Sequence, residues 1–388
     1  MKNLILSVSI LFLFVFNYSS SYKLWDSTRS VVNTAIDSTV TISISVVGDL
    51  MCHSPQFEYA KVDKDSFDFD PPFKEVKYIL SASDFTFGNF ETVTAGKENG
   101  GYTGYPFFNS PASYITTLKN IGFDLLITAN NHALDRGEKG ITKTIESIKQ
   151  NNLNYIGTFL SEKDRDSVRI FSIKGIKIAF LAYSYGTNGN PIPKGKSFLI
   201  NLINYDLIAH DIKTARKDGA ELVLVNYHFG EEYKRLPVKF QTDVVDKTIE
   251  LGADIIIGGH PHVIQPVKFF KTQDTILDTG FVAYSMGNFF SNQSKRYTDA
   301  GMILTIKINK NFNTNKIKLE EVDFIPTWVY HGNITNQKGF LILPAINSSA
   351  SDTLLSTNDY LKMKQAFSDT RDIVTKYSIN WRLKEVLE

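Results

Sequence analysis

The sequence predicts an α/β layer architecture, α/β shading into α+β, with mixed sheets. Two observations point there: a phrase of amphipathic helix, glycine, acidic residue and apolar strand occurs three times, and two hairpins interrupt the alternation. The first phrase is Tyr114–Asn120, Gly122, Asp124 and Leu125–Thr128, and the second is Asp206–Lys217, Gly219, Glu221 and Leu222–Val225. The third is Val238–Leu251, Gly252, Asp254 and Ile255–Ile257. Glycine just past a helix ends it in the left-handed conformation, and the short β-branched runs read as buried strands. Helix–strand alternation of this kind builds layers. Val168–Ile173 and Ile176–Ala182 flank Lys174-Gly175, while Met302–Ile308 and Lys316–Phe324 flank an Asn-rich turn. Both read as hairpins, so the sheets are expected to contain antiparallel pairs.

In chain order, Met1-Lys2-Asn3 leads into an apolar run, Leu4–Phe16. This is shorter than the roughly 20 residues a membrane span takes. It suits the apolar region of a signal peptide, with Ser19 and Ser21 as a small-x-small cleavage pattern. Export is therefore expected, with a signal peptide over 1–21 and a periplasmic, extracellular or envelope-associated protein. An uncleaved N-terminal anchor is the variant, and a buried helix is disfavoured because no polar face accompanies the run. No cysteine follows it, so a lipoprotein anchor is not expected. Residues 22–40 read as a linker, Thr41–Val47 as an alternating strand, 41–330 as one domain and 331–388 as a C-terminal extension. Within the extension, Asn358–Lys376 is expected to be a surface helix with Asn358 as its N-cap.

Hydrophobic residues make up 43% of the 388 and charged residues 21%, enough for a sizeable core. A net charge of +1 without a Lys/Arg run excludes a nucleic-acid partner from the expectations. Cys52 is the single cysteine, so no intramolecular disulfide forms. A small buried side chain is favoured there over a metal thiolate.

The chemistry lies in short polar motifs that follow apolar strands. They are Gly48–His53, Gly88-Asn89-Phe90-Glu91, Ala129–Asp135, His228–Tyr233 and Gly258-Gly259-His260-Pro261-His262. Strand C-terminal ends of α/β sheets gather into a crevice, so motifs distant in sequence can converge. Unpaired polar groups at such places are costly to bury, which disfavours plain core packing. Pro261 pushes His260 towards extended geometry, where residues i and i+2 face one side, so His260 and His262 are expected to face one metal cluster. Gly258-Gly259 permits close backbone approach. Asp49 offers a hard anionic ligand, Glu91 two oxygens that can bridge cations, and Asn131 a neutral carbonyl oxygen. Oxygen and imidazole donors without thiolate favour Mn, Fe or Zn.

These motifs resemble the CapA-type capsule and poly-γ-glutamate biosynthesis proteins of the calcineurin-like metallophosphoesterase superfamily. The resemblance runs from about Ile42 to Trp328 and also takes in Tyr284–Phe289, with Gln293 behind it. It implies a four-layer α/β/β/α sandwich with two divalent metal ions at the strand ends. By motif, Asp49 and His262 would hold one metal, and Asn131, His228 and His260 the other. Glu91 would bridge them. The superfamily's first motif, Asp-x-His, is altered here to Asp49 with His53 four residues on, so His53 is the least secure ligand. Ser285, Asn288 and Gln293 read as loop-holding groups, and His210 and His331 as solvated or structural.

Two functions follow as expectations. One is a secreted, phosphoesterase-type hydrolase in capsule, poly-γ-glutamate or related envelope polymer biosynthesis. Its substrate would be an anionic envelope polymer or a phosphoester, with His132 as general acid and Asp135 orienting it. The other is a non-catalytic polymer-handling or anchoring component of a membrane-associated biosynthesis complex. Fold alone does not decide between them.

Overall fold

The computed structural model describes residues 38–273, 276–334, 337–346, 354–377 and 382–386. The expected signal peptide and all but the last residues of the expected linker lie outside them.

Two mixed sheets form the frame. The larger runs β16 (Gln337–Pro344), β15 (Lys316–Ile334), β14 (Ala300–Asn311), β1 (Thr39–Leu50), β4 (Phe85–Phe90), β5 (Leu125–Ile127) and β6 (Asn154–Ile156). β13 (Asn288–Phe290) pairs with β1, and β17 (Leu383–Glu385) with β15. The second sheet runs β11 (Val267–Lys271), β12 (Thr279–Ala283), β10 (Ile255–Gly259), β9 (Leu222–His228), β8 (Ile176–Ser184) and β7 (Arg169–Ile173). A small hairpin, β2 (Lys61–Asp63) with β3 (Ser66–Phe67), stands apart from both. The centre of each sheet is parallel, from β1 through β4 and β5 to β6 and from β8 through β9 and β10 to β12. The expected hairpins, β7–β8 and β14–β15, supply antiparallel pairs.

Alternating side chains divide each strand between two cores. Ile42, Ile44, Val46 and Phe87 of the first sheet face Ile178, Phe180, Leu224 and Ile257 of the second in an inner core. On the outer side of the first sheet, Leu126 packs with Ile115 and Leu118 of α4 (Ser113–Asn120) and Ile141 and Ile145 of α5 (Gly137–Gln150). α1 (Ser54–Ala60), α2 (Asp70–Phe73) and α3 (Lys77–Ser81) complete that layer, whereas α6 (Glu162–Asp166) buries no residue. On the outer side of the second sheet, Val223, Val225 and Ile256 pack with Ile208 and Ile212 of α7 (Tyr205–Lys217) and Val244 of α8 (Lys239–Glu250). The result is the α/β/β/α sandwich, with both sheets buried on both faces as parallel strands require.

The repeated Gly–acid phrase has a physical basis. Gly122, Gly219 and Gly252 leave their helices at φ of 107°, 93° and 99°. The acid that follows then ties its strand to a neighbour. Asp124 accepts from the Thr86 amide at 2.9 Å, Glu221 from Lys177 at 3.0 Å and Asp254 from Val223 at 2.7 Å.

The C-terminal part differs from expectation. The boundary expected at 330 falls inside β15, and β16 extends the larger sheet. α9 (Thr357–Val374) packs Met363 and Ala366 against Trp328, Tyr330 and Leu341. Its cap is Ser356 rather than Asn358, the serine hydroxyl accepting from the Asp359 amide at 3.2 Å.

Candidate metal centre

The central parallel strands end on one side, and each expected polar group sits at such an end. Asp49 lies in β1, Glu91 just past β4, Asn131 and His132 past β5, His228 at the last position of β9, and His260 and His262 past β10. Gly259 is required by this convergence: a Cβ there would lie 2.7 Å from Asp49 Oδ1.

His260 and His262 are not extended, contrary to the expectation drawn from Pro261. Their φ angles are 96° and 56°, left-handed values that few non-glycine residues adopt. The two rings nevertheless share one cluster, with centroids 5.9 Å apart, and His260 stands 4.8 Å from His228. Backbone strain of this kind persists where surrounding contacts fix it, and it concentrates at functional sites.

Glu91 occupies the centre. Its Oε1 lies 3.4 Å from His228 Nε2 and 3.8 Å from His262 Nε2. Donor atoms of Glu91, His260 and His262 lie within 4.8 Å of one another, as do those of Asp49, Glu91 and His228. Asn131 Oδ1 is 2.9 Å from His228 Nε2, and His262 Nδ1 is 3.2 Å from Asp49 Oδ2. All six side chains are buried, yet Glu91 Oε1 and His260 Nδ1 have no hydrogen-bond partner among the described residues.

Burial sets the electrostatics. It pushes the Glu91 carboxyl up to about 8, and the Asp49 charge adds to the rise. For Asp49 burial also acts upward, but the hydrogen bond and charge of His262 outweigh it and hold the carboxyl below its ordinary value. Burial drives His228 down to about 3 and lowers His260 as well. His262 resists the same burial, because Glu91 and Asp49 lift it to about 9. A dry cluster of carboxylates and imidazoles with orphaned donor atoms is expensive unless a cation completes it. The donor set fits divalent metal: two carboxylates, an amide oxygen and three imidazoles, with no thiolate. Cys52 belongs to neither donor group; it is buried in the outer core, and burial pushes its thiol up to about 12.

His53 is also in neither group. It caps α1, its backbone amide donating to Gln56 Oε1 at 2.8 Å and its Nδ1 accepting from the Asn292 amide at 3.3 Å. His132 and Asp135 form a pair, Nδ1 to Oδ2 at 2.7 Å, and the Phe108 amide donates to the same Oδ2 at 2.7 Å. Asn188 Nδ2 lies 3.5 Å from His132 Nε2, and Asn188 Oδ1 accepts from Asn131 at 3.1 Å, so the pair adjoins the cluster. His210 lies on α7, and His331 in β15 packs against Phe340 with ring centroids 4.7 Å apart.

Two contributions, Asn89 and a tyrosine rim, went unassigned from sequence, and the part played by Asn288 is larger than expected. Asn89 Nδ2 is a hub, 2.7 Å from Asp49 Oδ1, 3.1 Å from His228 Nδ1 and 3.5 Å from Glu91 Oε2. Its spacing from Glu91 was the available signal, since strand residues i and i+2 share a face. Asn288 does more than hold a loop: it pairs with Asp49 in the β1–β13 register, and its Oδ1 lies 3.1 Å from His262 Nδ1. Gln293 accepts from Asn288 Nδ2 at 3.1 Å. Tyr105, Tyr185 and Tyr233 form an exposed aromatic rim, 6.4, 4.5 and 6.4 Å from the rings of His132, His260 and His262.

A four-layer sandwich with histidines, carboxylates and asparagines gathered at the strand ends is an arrangement suited to holding divalent metal. The chain belongs to the bacterial capsule synthesis protein family PGA_cap, whose model matches residues 43–293. It is 28% identical over 276 residues to the capsule biosynthesis protein CapA of Bacillus anthracis, covering 70% of this chain and 64% of that protein's length. It is 26% identical over 324 residues to the PGA biosynthesis protein CapA of Bacillus subtilis, covering 83% and 80%. A solved calcineurin-like phosphoesterase from Bacillus subtilis is similar at 13% identity and a TM-score of 0.43, over 87% of this chain and 99% of that one.

Proposed function

We propose that the chain is an exported, metal-dependent hydrolase of phosphoesterase type, acting in the synthesis of a capsule polymer such as poly-γ-glutamate or of a related envelope polymer. The observation that carries this is Glu91, common to both donor groups, with a buried oxygen that no group among the described residues satisfies. The two donor groups would hold a pair of divalent cations, which when bound supply an activated water and stabilise developing negative charge. Asn89 and Asn288 orient Asp49, His228 and His262, a supporting shell of the kind that tunes ligand position. Asp135 fixes the His132 ring through Nδ1, so the proton given to a leaving group comes from Nε2. The substrate is an anionic envelope polymer or a phosphoester met in a membrane-associated complex.

His53 favours the alternative of a polymer-handling component without catalysis, because it stands at a helix cap and outside both donor groups. His132→Ala separates the two. Hydrolysis requires this variant to keep its metal and fold while losing about 10²–10⁴ in turnover of phosphomonoesters or phosphodiesters. Full turnover in His132→Ala ends the general-acid role. Export rests on Leu4–Phe16, and finding the native protein in the cytoplasm with Met1 intact would refute it.

A further inference from the structure

Beside His262 the protein surface sinks into a cavity of about 570 Å³ between Tyr233, Val263 and the loop from Asn292 to Thr298. Its wall adjoins the metal centre, with the Tyr233 ring 6.4 Å from that of His262. Val263 follows His262 in the chain, the Tyr233 amide donates to Pro261 O at 2.8 Å, and Gln293 reaches His262 through Asn288. The charge of the wall is one-sided. Lys295 and Arg296 line it, and among the described residues no acidic side chain does. Arg296 is neutralised by Asp369 of α9, with two contacts of 2.8 Å. Lys295 is exposed and has no ion-pair partner among the described residues, so its ammonium is available to a ligand.

The backbone gives an independent sign. Tyr233 and Tyr297, both in this wall, hold left-handed φ angles of 66° and 77°. Bulky residues adopt such angles only where surrounding structure enforces them, and they cluster at ligand clamps. Tyr297 is fixed from two sides, by Arg235 at 4.1 Å and Arg296 at 4.7 Å from its ring centre. The wall is therefore rigid, aromatic and cationic, with Asn292, Gln293 and Ser294 as further polar groups.

We propose that this cavity is a subsite for an anionic group of the substrate, a carboxylate or phosphate carried one unit along the chain from the reacting bond. The proposal rests on the hydrolase reading for the identity of the neighbouring site, and it adds the feature that selects a charged polymer over a small ester.

The test is fluorescence anisotropy at low salt on chelator-treated full-length protein, so that binding is read without metal. The probes are a short labelled γ-linked glutamate oligomer and a labelled short polyphosphate, with neutral dextran as competitor. Lys295→Glu should weaken binding of the preferred anion about tenfold, and Lys295→Arg should restore it to within about twofold. Lys217→Glu, the same charge change on exposed α7 surface, should leave binding unchanged. Which probe responds identifies the anion as carboxylate or phosphate. Turnover of p-nitrophenyl phosphate should be the same in metal-loaded wild type and Lys217→Glu. Equal losses in Lys295→Glu and Lys217→Glu, displacement by dextran, or no binding of either probe would overturn the subsite. Failure of the hydrolase reading would show separately, as absent turnover while the Lys295 effect on binding persists.

Discussion

Gly259→Ala tests the convergence of strands without altering any proposed ligand. Gly259 ends β10, pairs with His228 in the β9–β10 register, and has no left-handed φ, so its backbone tolerates alanine. The added methyl would lie 2.7 Å from Asp49 Oδ1. Ordinary contact begins near 3.4 Å, so the carboxylate must retreat by about 0.7 Å, well beyond the ligand tolerance of about 0.2 Å. Asp49 cannot retreat freely, because Asn89 Nδ2 holds the same oxygen at 2.7 Å. A displaced ligand of this kind should cost about 10–100-fold in affinity for one of two bound cations. Isothermal titration of the chelator-treated protein with Mn²⁺ or Zn²⁺ reads this directly, and thermal melting controls for folding. Two equivalents bound with wild-type affinity would show that Asp49 is not a ligand or that β1 and β10 do not meet as described.

Two further outcomes follow from the same geometry. His53→Ala should lose less metal than His228→Ala by elemental analysis, since His53 is engaged by Gln56 and Asn292; equal losses would return His53 to the ligand set. Metal uptake should also strengthen as pH rises from about 6 to about 9, because a cation must displace protons from its ligands. The sign comes from His262, held up at about 9, and Glu91, pushed up to about 8, both of which keep a proton near neutrality in the metal-free protein. Titrations in buffers of different ionisation enthalpy should show proton release, and pH-independent affinity would contradict it.

The layered fold was legible because Gly and acid after each helix perform fixed local tasks, a left-handed exit and a tether to the next strand. A fourth instance escaped because asparagine replaces both residues: Asn152 takes φ 54° after α5, and Asn154 Nδ2 donates to Asp124 O at 3.0 Å. β16 escaped because the boundary expected at 330 cut through the antiparallel pair it forms with β15, which runs from Ile334 with Gln337 to Thr327 with Pro344. In the site, compact polar motifs marked which residues converge. The conformation of His260-Pro261-His262 did not follow from the proline preference, because packing around Asp49 imposes left-handed turns that local propensity disfavours. Asn288 reaches the cluster from β13 and Asn188 from a turn after β8, both far along the chain, and their partners exist only once the sheets are assembled.

The most direct measurement is the metal content of the purified protein beside His228→Ala, by mass spectrometry of the elements after exhaustive dialysis. His228 is fully buried, 3.4 Å from Glu91 and 2.9 Å from Asn131, so its loss removes a donor from the centre of the cluster. Close to two equivalents of Mn, Fe or Zn in the wild type, and about one or fewer in His228→Ala, is the predicted result. A wild-type protein that neither retains nor takes up divalent metal, or a His228→Ala variant with the same content, would contradict the assignment.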